Sequence, residues 1–205
     1  LAALQAVQLG APPDAARRDS GTGGFALLAE ADVPLHHDLN THAGRAALNL
    51  PPNADAVLDV ATFFPFRVHA GDEISCRSLA RPSEPRVLGV VDSFIGRGGF
   101  TFAGTLAETT EERENPWNLL RRTLPDGAIP AVADEASARW QMHLNLGDEF
   151  PLTDDRGCTV RLRLVALLTG SLFQDAVLIG EAGFTRLFQS VAGYGTFLID
   201  APAAS

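Results

Sequence analysis

The 205-residue chain has a mass of 21.7 kDa, a length that makes one domain or two closely joined lobes and needs no metal or disulfide to bury a core. Sixteen basic against 25 acidic residues give a net charge of −9, which repels phosphate backbones and anionic lipid and removes nucleic acid from the expected partners. All the basic residues are arginine, so a Walker A lysine, a Schiff base and Ser-Lys or protein-kinase chemistry are excluded.

No apolar run approaches the ~18 residues of a membrane span, so the segment itself is expected to be soluble. Without an initiator Met or a basic leader, Leu1 reads as an excision point. Residues 1–9 are apolar and helix-compatible until Gly10-Ala11-Pro12-Pro13 interrupts them. Residues 14–24 end in Ser20-Gly21-Thr22-Gly23-Gly24, so 1–24 reads as a flexible connecting segment. The ordered domain is then 25–200, with 201–205 as its exit.

Within the domain, 25–35 reads as a strand closed by Pro34. Thr41 caps a short helix over 41–48 that Pro51-Pro52 ends. Strands are expected at 63–69 and 86–94 from their β-branched and aromatic content, and another after Gly98-Gly99. Residues 108–114 read as an acidic solvated surface, and Asn115-Pro116 opens a helix through 122. A buried strand at 128–133 precedes a helix capped by Asp134, with Ala136, Trp140, His143 and Leu144 on one face. A hairpin over 149–168 turns at Asp154-Asp155-Arg156-Gly157, and a strand at 176–179, a helix at 181–188 and a strand at 195–200 close the chain. Strands and helices interleave, which predicts a mixed α/β (α+β) fold.

The candidate chemistry dissolves residue by residue. Asp19-Ser20-Gly21 matches an aspartic-protease triplet but has no second copy to share a proton. His36, His37, Asp38 and His42 form the one ligand-rich cluster, yet adjacent His36 and His37 point to opposite sides of an extended chain. No Gly-x-Ser-x-Gly elbow occurs, and Gly21-x-Gly23-Gly24 precedes a strand rather than joining strand to helix. Glu108, Glu111, Glu112 and Glu114 read as a solvated face. No catalytic residue, metal ligand or cofactor site is therefore expected, and the chain is not expected to be an enzyme. Cys76 and Cys158 read as two separate thiols rather than a bridge. Trp117, beside the acidic stretch, is the best candidate for an exposed aromatic at a partner interface, set against the blander reading that it anchors its own loop.

The runs Ser20–Leu28, Ala70–Leu79, Pro85–Val90 and Asn115-Pro116-Trp117 resemble those of FtsX-like permeases. So do Ile129–Asp134, Leu146-Gly147-Asp148, Arg163–Leu168 and Tyr194–Asp200 in the tail. Over residues 20–200 the chain is similar to the MacB-like extracytoplasmic domain of ABC transporter permeases. The resemblance implies a MacB-like periplasmic core in a cell-membrane protein, held on the extracytoplasmic side by transmembrane helices of the same chain. It also implies a separate ABC ATPase and an extracytoplasmic partner protein, with the domain passing motion from membrane to substrate. The alternative is a free-standing extracytoplasmic binding module; a carboxylate-based hydrolase is a distant third.

Overall fold

The computed structural model describes residues 4–9, 17–49, 58–71 and 85–201. Pro51-Pro52, Cys76 and residues 202–205 lie outside the described residues.

In chain order the elements are β1 (Leu4–Gln8), β2 (Leu27–Leu35), α1 (His42–Ala47), β3 (Thr62–His69), β4 (Arg86–Val90), α2 (Asp92–Arg97), β5 (Phe102–Thr105) and α3 (Thr110–Glu114). A 3₁₀ turn (Pro116–Arg121), β6 (Ile129–Asp134), a π turn (Ser137–Gln141), β7 (Glu149–Thr153), β8 (Thr159–Leu168), β9 (Ala176–Gly180), α4 (Glu181–Leu187) and β10 (Tyr194–Asp200) follow. Among the described residues all ten strands join one mixed sheet in the order β1-β2-β10-β3-β4-β9-β6-β8-β5, with β7 also on β8. The architecture is mixed α/β and the sheet is continuous, so the strands do not divide into two lobes. β4–β9 and β6–β8 are parallel and the other pairs antiparallel. No helix among the described residues is long and apolar enough to cross a membrane.

The strand alternation divides the core between the two faces. One face carries Phe64 and Phe66 of β3, Val90 of β4 and Leu198 of β10, packed under Phe94 of α2 and Trp117 of the 3₁₀ turn. The other carries Phe63, Phe197 and Ile199 toward α1 and Val87, Val177 and Leu164 toward α4 and the π turn. Burying each large apolar side chain contributes on the order of 1.5–3 kcal/mol.

Two expectations at the N-terminus fail. Residues 4–8 form a strand instead of a helix: an isolated nine-residue helix is marginal in water, whereas β1 gains a ladder on β2 from Leu4–Ala31 to Gln8–Leu27. Residues 17–24 are packed, not loose. Phe100 donates its N–H to the Arg18 carbonyl at 2.6 Å and Leu172 to that of Gly21 at 3.0 Å. A Cβ on Gly23 would stand 2.3 Å from the Phe100 ring and the backbone there has φ +62°, so glycine serves close packing rather than slack. Arg97 then fastens this turn to the last strand. Its side chain donates to the Gly23 carbonyl at 2.8 Å and to Asp200 at 2.9 Å, and it lies 3.8 Å over the Phe25 ring.

Candidate functional site

Trp117 is not at the surface. It is fully buried, edge-on to Phe94 at 4.8 Å and to Phe100 at 5.6 Å, and its indole N–H donates to the Gly99 carbonyl at 2.9 Å. Asn115 sets the turn: its side-chain oxygen accepts from Trp117 N at 3.3 Å while its amide donates to the Ile95 carbonyl at 2.7 Å. With every polar atom satisfied inside the body, the ring anchors its own loop and offers nothing to a partner.

The acidic stretch also turns inward in part. Glu112 is buried and closes a capping box with Thr109, and Arg122 donates to it at 2.7 Å and to Glu108 at 3.1 Å. The Arg122 hydrogen bond, helped by the Thr109 amide, holds the Glu112 carboxyl down to about 2. Two clefts of about 670 Å³ each flank residues 122–124. One is lined by Glu108, Glu112, Arg122 and Arg163, the other by Asp92, Arg121, Glu181 and Arg186. Arg163 is shared between Asp126 and Glu149, and Arg121 donates to Asp92 at 2.9 Å. The Ala128 amide and Arg163 keep Asp126 below the usual carboxylate range. A general acid needs a carboxyl raised toward neutrality; the Glu112 and Asp126 carboxyls are pushed the other way, by their bonds to Arg122 and to the Ala128 amide.

The remaining sequence candidates do not converge. His36, His37, Asp38 and His42 are all exposed, and Asp38 is used by its own turn, accepting from Asn40 N at 2.9 Å. Among the described residues no group of three His, Cys, Asp or Glu could hold a metal ion. Asp19 accepts from Arg17 at 2.9 Å, and that bond lowers its carboxyl. Cys158 is an exposed free thiol at the β7–β8 hairpin; Cys76 lies outside the described residues.

The residue that sequence reasoning misplaced is Trp140, which is 73% exposed. The expected helix after β6 widens into the π turn, whose looser winding shifts the register so that Ala138, not Trp140, enters the core. A buried polar latch holds the turn. Asp134 accepts from Ser171 N at 2.7 Å, Ser171 Oγ at 2.9 Å and Ala136 N at 3.0 Å, Ser137 Oγ accepts from Asp175 N at 3.2 Å, and Gln141 donates to Asp175. Trp140 thus stands out from a rigid base beside exposed Arg139, Gln141 and Asp175. No simple periodic pattern announces this, because a 3.6-residue period places position 140 on the same face as 136 and 144.

The chain matches no protein-family model and no curated protein sequence.

Proposed function

We propose that the chain is the extracytoplasmic domain of an FtsX-like ABC transporter permease, a stiff body that relays movement of membrane helices, driven by a separate ATPase, to a substrate or partner protein outside the membrane. One observation carries the reading. β2 and β10 lie side by side, with Leu27 opposite Ile199 and the Ala26 N–H donating to the Ile199 carbonyl at 3.1 Å. The N-proximal and C-proximal approaches therefore meet at one place, locked there by Arg97, as suits a domain pushed and pulled through both ends. Trp140 gives an extracytoplasmic partner an aromatic anchor on a rigid base, and the ion-paired clefts suit a relay better than a catalyst.

A free-standing binding module is the second reading, favoured by β1. This strand runs parallel in direction to β10, so Leu4 sits at the opposite end of the strands from Asp200, roughly 17 Å along the sheet by the strand rise. The approach through β1 is thus less direct than a continuing membrane helix.

The test uses the full-length protein in intact cells with every cysteine except Cys158 replaced by serine, Cys158 being an exposed thiol. A membrane-impermeant maleimide is expected to label it without lysis, and C158S to abolish the label. Labelling only after lysis would rule out both extracytoplasmic readings. Recovery of the labelled chain in the soluble fraction, rather than with the membranes, would choose the module.

A further inference from the structure

The chain leaves two neighbouring strands toward opposite faces of the sheet. β4 and β9 are parallel partners from Arg86–Ala176 to Val90–Gly180. β4 runs into α2, whose Phe94 and Ile95 pack on one face. β9 runs into α4, whose Phe184 and Leu187 pack on the other. The next strand after α2 is β5, on the β9 side of the pair, and the next after α4 is β10, on the β4 side. Parallel strands whose connections part in this way leave a crevice beyond their carboxyl ends, the place where open α/β sheets hold ligands. The cleft of about 670 Å³ lined by Asp92 and Arg186 lies there, bounded by Val90 and Gly180 at the strand ends and by Ile129 and Pro130 at the start of β6.

Part of its wall is apolar: Val90, Ile95, Leu120, Ala128 and Ile129 line it, and each is buried. Gly127, at φ +75° with nothing within 4 Å of where a Cβ would stand, leaves the space beside that wall open. The charges around it do not cancel. Three guanidinium groups, of Arg121, Arg122 and Arg186, stand against two carboxylates, of Asp92 and Glu181. Arg121 donates to Asp92 at 2.9 Å. Glu181 accepts from Arg67 and from the Tyr194 hydroxyl, each at 2.8 Å, and Arg122 is taken up by Glu112 and Glu108. Arg186 is left, exposed and with no ion-pair or hydrogen-bond partner among the described residues. The other cleft sets Arg122 and Arg163 against Glu108 and Glu112 and has no such excess.

We propose that this crevice binds a small organic anion, a carboxylate on a short apolar chain, with the carboxylate on Arg186 and the chain against the buried wall. A planar guanidinium takes a carboxylate through two parallel N–H···O bonds, and each methylene buried on the wall should tighten binding roughly fourfold. The pairing of features selects this class. In a chain of net charge −9 an uncompensated cation draws in an anion that most of the surface repels. A bare inorganic anion would leave the apolar wall unused, and an organic cation would be opposed by Arg186. The site goes beyond the permease reading and does not rest on it.

The experiment is an amide chemical-shift titration of the isotope-labelled 205-residue chain with sodium octanoate at concentrations below micelle formation. Inorganic phosphate and octylammonium chloride are the comparison probes. Octanoate should bind saturably and move the amides of Gly127, Gly183 and Thr185, which line the cleft, and butanoate should bind more weakly by the loss of its methylenes. Arg186→Gln, at an exposed position, should weaken octanoate at least tenfold. Ala182→Phe, also exposed and on the cleft wall, should block it by filling the space. Arg113→Gln removes an exposed arginine away from the cleft and should leave the affinity unchanged. Phosphate or octylammonium binding as tightly as octanoate, an affinity indifferent to Arg186→Gln, or no saturable shift at the cleft amides would each overturn the proposal.

Discussion

The two tryptophans of this chain have exchanged the positions that their neighbours suggest. Trp117 follows an acidic stretch and sits between asparagines, yet it is fully buried; Trp140 falls on an apolar helical spacing, yet it is 73% exposed. Polarity of flanking residues did not decide either case. Asn115 and Glu112 spend their polar atoms on local backbone and on Arg122, which frees the Trp117 ring to pack and gives its N–H the Gly99 carbonyl. Around Trp140 the buried acceptor is Asp134, and satisfying it from Ser171 and Ala136 bends the following residues into a π turn that turns the ring outward. Buried polar groups must find partners, and the backbone takes the path that provides them.

The contrast is open to measurement. The largest effect is expected for Trp117→Ala, which should cost about 3–5 kcal/mol by leaving a cavity among Phe94, Phe100 and Phe102; chemical denaturation reads it, and a loss below about 1 kcal/mol would return the ring to the surface. Ser171→Ala should cost about 1–3 kcal/mol, because Asp134 loses a buried partner. The same variant should raise amide exchange through 137–141 if the latch holds the turn, and unchanged exchange there would detach the turn from it.

Acid is expected to weaken the capping box that precedes Trp117. Arg122 lowers the Glu112 carboxyl from an ordinary value near 4.5 to about 2, so its ionised form stabilises the fold fully above the unfolded value and that contribution fades as pH falls toward 2. Glu112→Gln removes this titration. Urea midpoints measured from pH 6 down to 2 should therefore fall less steeply in the variant, and parallel curves would show that Glu112 carries no such linkage. The smallest effect is expected at Trp140→Ala. An exposed ring contributes within about 0.5 kcal/mol to stability, so the melting temperature should barely move; a fall of several degrees would place Trp140 in the core after all.

Much of the framework was legible in the residues. Thr41 as a cap, the buried strand ending at Asp134, the hairpin at residues 154–157 and the strand–helix–strand close all follow from alternation and turn chemistry, and each stands within a residue or two of its expected bounds. These signals are local, so a single chain carries them. The candidate site was not legible in the same way. Nothing in Ser20–Gly24 says that Phe100 will fill the space a Cβ would occupy, and nothing in 134–141 says that the partner for Asp134 lies at Ser171.

By itself the sequence determined the mixed α/β class, the arginine-only basic chemistry and the alternation that gives the sheet two apolar faces, because composition and short-range period act before any long-range contact forms. The tertiary structure alone decided which tryptophan is inside, that residues 4–8 extend as an edge strand, and that Arg97 joins Gly23 to Asp200. Those outcomes depend on hydrogen-bond and packing partners many residues away, and only the assembled sheet brings such partners within reach.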